Sequence, residues 1–507
     1  DETIPPVNGE PQGHLDLLIV THEHWDHLSG FVQARDEWQH IQVDALWTAW
    51  TEKDDPEGLP DVLRKILEKQ RRTLAEIADR ALRFGLAERH DTVLGLMSFL
   101  SEAAESGRSF AAAAGVRDAF DAAKGLVPKA QHTCCEPGDV YRVPGTAALA
   151  YVLGPPRNSA RLRQVDPSRQ RPETYDSGGA APEGGEEALA LGGARARDAA
   201  GFAALDAAFS LQRMLESRST FNAFAMSLLG PSLPASGEGA DASGGLDLIA
   251  EEDQYERSFP FPRSVRVPLP IAETATRERP LAYPALASYF DEISHWRRID
   301  FDWLASAETF ALQADNLTNN TSLVLAFELP PKDAAAERKI LLFVGDAQVG
   351  NWLSWDEIPA WRPQGDVAIA VLKPDIGDLL KRAVFYKVGH HGSHNATLKE
   401  RGVERMRDDR GLTAFVPVSP IVAREVKDWC QMPLDAILDA LSRRTGGRVV
   451  LPGGNVWPPV ADSELARTRS QLGMEVSTET LPPKVRQRDK KELEGAVPLW
   501  VQIAIDQ

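Results

Sequence analysis

The stretch Leu15-Asp-Leu-Leu-Ile-Val-Thr-His-Glu-His-Trp-Asp-His27 constrains this chain more than any other. Its apolar run reads as a buried strand that opens directly into His22-x-His24-x-Asp26-His27. In an extended chain, side chains two positions apart share one side, so His22 and His24 can grip one metal ion. Asp26 and His27 are neighbours and diverge unless the chain turns; a turn there aims them at a second ion nearby. Imidazole and carboxylate donors together suit zinc, and the same set accepts manganese or iron. A solvated, histidine-rich turn is the competing reading, so further ligands have to come from elsewhere in the chain.

Two later strand ends carry matching chemistry. Lys339-Ile-Leu-Leu-Phe-Val-Gly-Asp346 ends on an aspartate, and Ala383-Val-Phe-Tyr-Lys-Val388 runs into Gly389-His-His-Gly-Ser-His394. Paired ions about 3.5–4 Å apart need a bridging carboxylate and terminal imidazoles, and Asp346 fits the bridge. One of His390 and His391 is expected as a terminal ligand and the other as a residue facing the substrate. The residues alone leave the order open. His394 either contacts a phosphate, protonates a leaving group, or is an exposed turn residue.

The pattern Thr-His-x-His-x-Asp-His after an apolar strand resembles the metal motif of the metallo-β-lactamase-fold hydrolases. An ordered set of further segments is similar to one branch of that family, the hydrolase domain of competence proteins that handle incoming DNA. These are Gly154-Pro-Pro156 closing a strand, Asn319-Asn-x-Ser322, Val344-Gly-Asp346 and Lys387-Val-Gly-His-His-Gly-Ser393. The resemblance covers the core segments and leaves two long insertions outside it. It implies an α/β (α+β) core of the αββα two-sheet type. It also implies two divalent ions, zinc first, held by His22, His24, Asp26, His27, Asp346 and the His390–His391 pair. Hydroxide generated at those ions would attack a phosphorus or acyl centre, with Asp26, His391 and His394 taking a direct part.

The branch tilts the expected substrate towards phosphodiesters, in a nucleic-acid strand or a nucleotide. Hydrolysis of a lactone, thioester or β-lactam at the same site is the alternative enzyme reading. A scaffold or sensor subunit with a regulatory or structural metal is the alternative of another class. The family often adds a third histidine to the first ion, between the first motif and Asp346. His40, His90, His132 and His295 are available, and His132 is favoured because Gln131-His-Thr-Cys-Cys135 directly precedes returning strands. Met432-Pro433 stands where related chains often show a His-Pro step. The fold also places paired strands before the motif; only 21 residues precede His22, which implies N-terminal strands that this chain lacks.

Core segments at 1–51, 129–156 and 311–507 are separated by a helical insertion over 52–128 and a long, partly flexible one over 157–310. In the first insertion Leu63, Ile66, Leu67, Leu74, Ile77, Ala78 and Ala81 recur at helical spacing, and helices follow over 92–104 and 110–123. That insertion packs over the core, or it acts as a lid or a docking surface for a protein partner. Pro172–Gly193 and Pro231–Gly245 are loop-like in composition, with helical spacing between them over Ala199–Ser217 and again over Asp291–Leu304. The charged run Lys484–Glu494 is expected as a solvated turn before a final strand.

Composition limits partners. A net charge of −18 argues against a broad surface for nucleic-acid backbone, though not against a strand end or nucleotide held where metal ions supply the positive charge. Three cysteines, Cys134, Cys135 and Cys430, make no disulfide framework and fit a reducing cytosol, hence a cytoplasmic location. No Cys-x-x-Cys partners the vicinal pair, so Cys134 and Cys135 read as buried thiols rather than zinc ligands. No apolar run approaches the roughly 18 residues needed to cross a bilayer.

Overall fold

A computed structural model of the chain describes residues 13–56, 58–68, 115–168, 173–175, 315–333, 336–367, 374–409, 411–425, 432–481, 484–486, 491–494, 497–498 and 500–504. The chain divides into two compact units, and the smaller, from 76–93 and 182–311, falls outside the described residues. The helices expected over 92–104, 199–217 and 291–304 also fall outside them.

The apolar run before the histidines is two short strands, β1 (Gly13–Leu15) and β2 (Leu18–Ile19), because exposed Asp16 interrupts it. Both are paired in parallel: β1 with β3 (Ile41–Val43), and β2 with β4 (Leu46–Ala49). On its other side β4 pairs in parallel with β5 (His132–Cys135). Leu28-Ser-Gly-Phe31 reads in the sequence as the opening of a helix after the motif, but the chain turns helical inside the motif, at α1 (Trp25–Leu28), and continues into α2 (Gly30–Gln33). Trp25 and Leu28 of α1 and Phe31 of α2 pack with Val20, Val43 and Leu46. Helix α3 (Val116–Gly125) closes this cluster with Val116, Ala119, Phe120 and Ala123, one apolar stripe at helical spacing. The end of the first insertion is therefore part of the core packing.

A second, nine-stranded mixed sheet is built among the described residues. It takes β6 (Asp139–Arg142), β7 (Leu149–Gly154), β8 (Val324–Glu328), β9 (Ile340–Phe343), β10 (Arg362–Pro363), β11 (Ala383–Lys387), β12 (Thr413–Phe415), β13 (Val449–Leu451) and β14 (Asn455–Trp457), in the order β10-β6-β7-β8-β9-β11-β12-β13-β14. Strands β6 to β9 form an antiparallel meander; β9, β11, β12 and β13 run parallel, and β14 returns antiparallel. Strand side chains alternate between faces, and both faces of β7 and β8 are apolar because both are covered. Ala150, Val152 and Leu325 meet Trp47, Ala49 and Cys135 of the small sheet. Leu149, Tyr151, Leu153, Val324 and Ala326 point the other way, into a large cluster. There they join Val349 and Trp352 of α4 (Val349–Ser354) and Ile437, Leu438 and Leu441 of α5 (Asp435–Thr445).

Two expectations are corrected. Asn319–Leu329 reads in the sequence as one strand, but residues 315–320 are helical, so Asn319 and Asn320 close a helix and the strand begins only at Val324. The charged run is a hairpin, with Lys484–Arg486 paired antiparallel to Lys491–Glu494, rather than a solvated turn. Among the described residues no helix is long and apolar enough to cross a membrane.

Candidate metal centre

Register brings the site together. β9 and β11 are parallel neighbours with Phe343 opposite Lys387, so Asp346 and His390, each three residues further on, emerge side by side. The end of β2 is tied in by the Leu323 amide, which donates to the Thr21 carbonyl at 2.8 Å. Gly345 sits where these ends cross. Its φ is +55°, and a Cβ there would lie 3.0 Å from Ser322 Cβ and 3.2 Å from Thr21 Cβ, which explains the glycine before Asp346.

His24 is extended (φ −116°, ψ 150°) and α1 starts at the next residue. That change of backbone swings Asp26 and His27 to the side that faces Asp346. Donor atoms of Asp26, His27, Asp346 and His391 all lie within 4.8 Å of one another. Asp346 Oδ2 is 3.3 Å from His27 Nε2, 3.8 Å from His391 Nε2 and 3.9 Å from His22 Nε2. His391 Nε2 is 2.9 Å from Asp26 Oδ2, and His22 Nε2 is 3.2 Å from His24 Nδ1. One Asp346 oxygen thus lies near His22 on one side and His27 and His391 on the other. Nitrogen and carboxylate donors in this number and proximity fit divalent zinc, manganese or iron.

The charges show how tightly the groups depend on each other. Burial works to raise the Asp346 carboxyl, but His27, by charge and hydrogen bond, overrides it and holds it well below the usual range. Asp26 is lowered in the same way, against burial, by its hydrogen bond to His391. Burial lowers His27 and His391, and Asp346 and Asp26 respectively more than reverse that, so both end raised. His22 is lowered well below its ordinary value by burial and by His27 and His24.

An outer layer of hydrogen bonds fixes this arrangement and gives the Asn319-Asn-x-Ser322 segment its physical meaning. Ser322 Oγ accepts from the Asp346 amide at 3.0 Å, and the His390 amide donates to Asp346 Oδ1 at 3.2 Å. Asn319 Nδ2 lies 3.1 Å from Asp315 Oδ2 and 3.2 Å from His390 Nε2. Asn320 Nδ2 donates to the Arg161 and Leu162 carbonyls, both at 2.9 Å, while its Oδ1 accepts from the Gln348 and Asn351 amides.

The structure separates the histidine pair. His391 reaches the cluster, whereas the ring of His390, expected among the ligands, is engaged elsewhere: Nε2 by Asn319 and Nδ1 by Ser393 Oγ at 2.7 Å. Burial lowers His390 to about 4, so its ring is neutral. Both residues have positive φ, 42° and 53°, an uncommon backbone for a side chain this size and one found at functional turns. The Met432-Pro433 step lies under this turn: a Cβ on Gly392 would be 2.9 Å from Pro433 Cβ.

His132 is a correction. It lies at the start of β5, level with Leu46 and hence with Leu18, while His22 is four residues beyond Leu18. That puts it about 10 Å across and about 13 Å along the strands from the motif. There it bonds Thr48 Oγ1 at 2.9 Å. His394 is half exposed, 3.9 Å from Asp166 Oδ1, and is not among the clustered donors. Cys135 is buried and Cys134 partly so, both as free thiols.

Several residues in and around the centre have no strong sequence signal. Asp315 Oδ1 is 3.4 Å from His24 Nε2; burial, then the charges of Asp26 and Asp346, push it up to about 8. It stands one helical turn before Asn319, a spacing that shows only once 315–320 is read as helix. Glu23, buried between the two histidines, is bonded by Arg117 from α3, which also reaches Glu52 at 3.5 Å. A second donor group, His14, Asp16 and Asp44, lies partly exposed at β1.

Comparison with family models, with curated proteins and with solved structures finds no match to the chain.

Proposed function

We propose that this chain is a hydrolase of the metallo-β-lactamase type, with an αββα sandwich core, that cleaves phosphodiester bonds in a nucleic-acid strand or a nucleotide at a two-ion site. The observation that carries this reading is the convergence of Asp26, His27, Asp346 and His391 within 4.8 Å, with His22 Nε2 3.9 Å from the same Asp346 oxygen. His22 and His24 would hold one ion and Asp26, His27 and His391 the other, with Asp346 between them. Zinc matches this donor set best. When bound, such a pair lowers the pKa of water towards neutrality and draws charge from a phosphoryl oxygen.

The chain's own residues do the rest. Ser322 Oγ holds the Asp346 backbone amide and the His390 amide holds carboxylate Oδ1, so the side chain is kept in one orientation. The His390 ring, neutral and saturated with hydrogen bonds, shapes the turn that delivers His391. His394, half exposed three residues on, would give a proton to a departing oxygen. A cleft of about 400 Å³ is lined by Arg161, Lys399 and Arg401 together with Glu173 and Glu400, so it offers no purely cationic surface of its own.

The test is turnover of a panel of phosphodiesters by zinc- and manganese-loaded protein, with a parallel panel of lactones and thioesters. Phosphodiester cleavage lost in Asp346→Ala supports the reading. No phosphodiester turnover, or turnover of the acyl substrates alone, overturns it.

A further inference from the structure

The two histidines of the first motif present different nitrogens to each other: His22 Nε2 and His24 Nδ1, 3.2 Å apart. For both to offer lone pairs to one ion, each ring must carry its proton on the other nitrogen. For His22 that nitrogen is Nδ1, and Thr21 Oγ1 at 3.0 Å is placed to accept from it. For His24 it is Nε2, and the group beside it is Asp315 Oδ1 at 3.4 Å.

Asp315 Oδ2 is anchored by Asn319 Nδ2 at 3.1 Å, and Oδ1 is the carboxylate oxygen that lies beside His24. Oδ1 is buried and accepts no hydrogen bond among the described residues. Buried Asp346, partly buried Asp315 and the more exposed Asp26 bring three carboxylates close together, a costly arrangement that two divalent ions would neutralise. A carboxylate on the far nitrogen of a ligating imidazole fixes its tautomer, orients its ring and makes it a stronger donor.

We infer that Asp315 is the positioning residue of the first ion: it holds the proton on His24 Nε2 and so turns His24 Nδ1, with His22 Nε2, into a preformed pair of ligands. The inference rests on the two-ion reading. It makes Asn319 the common anchor of both halves of the site, since the same amide nitrogen that holds Asp315 is 3.2 Å from His390 Nε2, whose backbone amide holds Asp346.

Asp315→Asn separates this role from simple packing. With its oxygen turned to Asn319, the amide nitrogen faces His24 and opposes a proton on Nε2; turned round, it opposes the Asn319 donor instead. Zinc affinity is measured by chelator competition on the full chain, with zinc per chain counted by mass spectrometry. Wild type is expected to bind two ions; Asp315→Asn is expected to keep one and to bind the other about 10- to 100-fold more weakly. In a His24→Ala background the same substitution is expected to change nothing further. In unsubstituted, zinc-loaded protein, imidazole ¹⁵N shifts are expected to place the His24 proton on Nε2, a readout that needs no variant to fold. Wild type that binds fewer than two ions sinks the two-ion reading and this inference together. Wild type with two ions sinks the inference alone if the His24 proton sits on Nδ1, or if Asp315→Asn keeps both affinities or loses both ions together.

Discussion

Glu52 offers the sharpest energetic test of how the helical insertion is fastened to the metal motif. Its side chain is 12% exposed, beside Glu23, with Arg117 of α3 as the shared cation. Burial, then the charge of Glu23, raises its carboxyl from 4.5 to about 7. Below about pH 4.5 folded and unfolded chains both carry the proton, and the group makes no difference. Between about 4.5 and 7 the unfolded chain releases it first, so stability falls as pH rises; above about 7 the loss is complete. A shift of that size corresponds to roughly 3 kcal/mol.

Glu52→Gln keeps the shape and removes the titration. Variant and wild type are compared by hydrogen exchange of the α3 amides, which reports local stability in a chain of two units. The stability difference, variant minus wild type, is expected to climb by roughly 3 kcal/mol from pH 4.5 to 7 and then to level off. A difference that stays flat across that window, or that falls with rising pH, refutes the assignment of a proton to buried Glu52.

Four further outcomes follow from the same contacts. Asp346→Ala removes the carboxylate shared by both groups of ligands, and should lower phosphodiester turnover by about 10³-fold or more together with zinc content. His391→Ala should weaken one zinc ion in competition titrations, while His390→Ala should retain both ions more nearly and lower the melting temperature instead, because its ring is committed to Asn319 and Ser393. His132→Ala should leave zinc stoichiometry and turnover within about twofold of wild type, since it costs the bond to Thr48, about 1 kcal/mol, and a long contact to Cys134 Sγ. Asn320→Ala strips hydrogen bonds from the Arg161 and Leu162 carbonyls and from the Gln348 and Asn351 amides, and should destabilise the folded unit by about 3 kcal/mol or more in thermal melts.

The sequence is informative where one physical constraint dominates. Strand ends carrying His22, Asp346 and the His390–His391 pair stand out because apolar runs stop abruptly at metal-binding residue types, and the structure brings these ends together. Strands β7, β8 and β9 are legible from their apolar runs, and the β8–β9 hairpin from the polar link between them, whereas the pairing of β7 with β8 is not. What the sequence concealed depended on contacts between distant segments. His132 looked attractive through its neighbours in sequence, but parallel register with β4 puts it at the wrong end of its strand. Asn319 and Asn320 looked like part of a strand because Ser322 leads straight into one; their helical backbone is fixed by partners at Asp315, Arg161 and Gln348. Asp315 itself gains meaning only through His24, nearly 300 residues earlier in the chain. The partition between His390 and His391 depends on two consecutive left-handed residues, which no composition rule anticipates at histidine.

The central claim is that two ions share Asp346, and anomalous diffraction at the zinc edge from crystals of zinc-loaded protein addresses it directly. Two peaks are predicted, about 3.5–4 Å apart, one against His22 and His24 and the other against Asp26, His27 and His391, both in contact with the Asp346 carboxylate. No peak beside Asp346, or zinc found only at His14, Asp16 and Asp44, would contradict it.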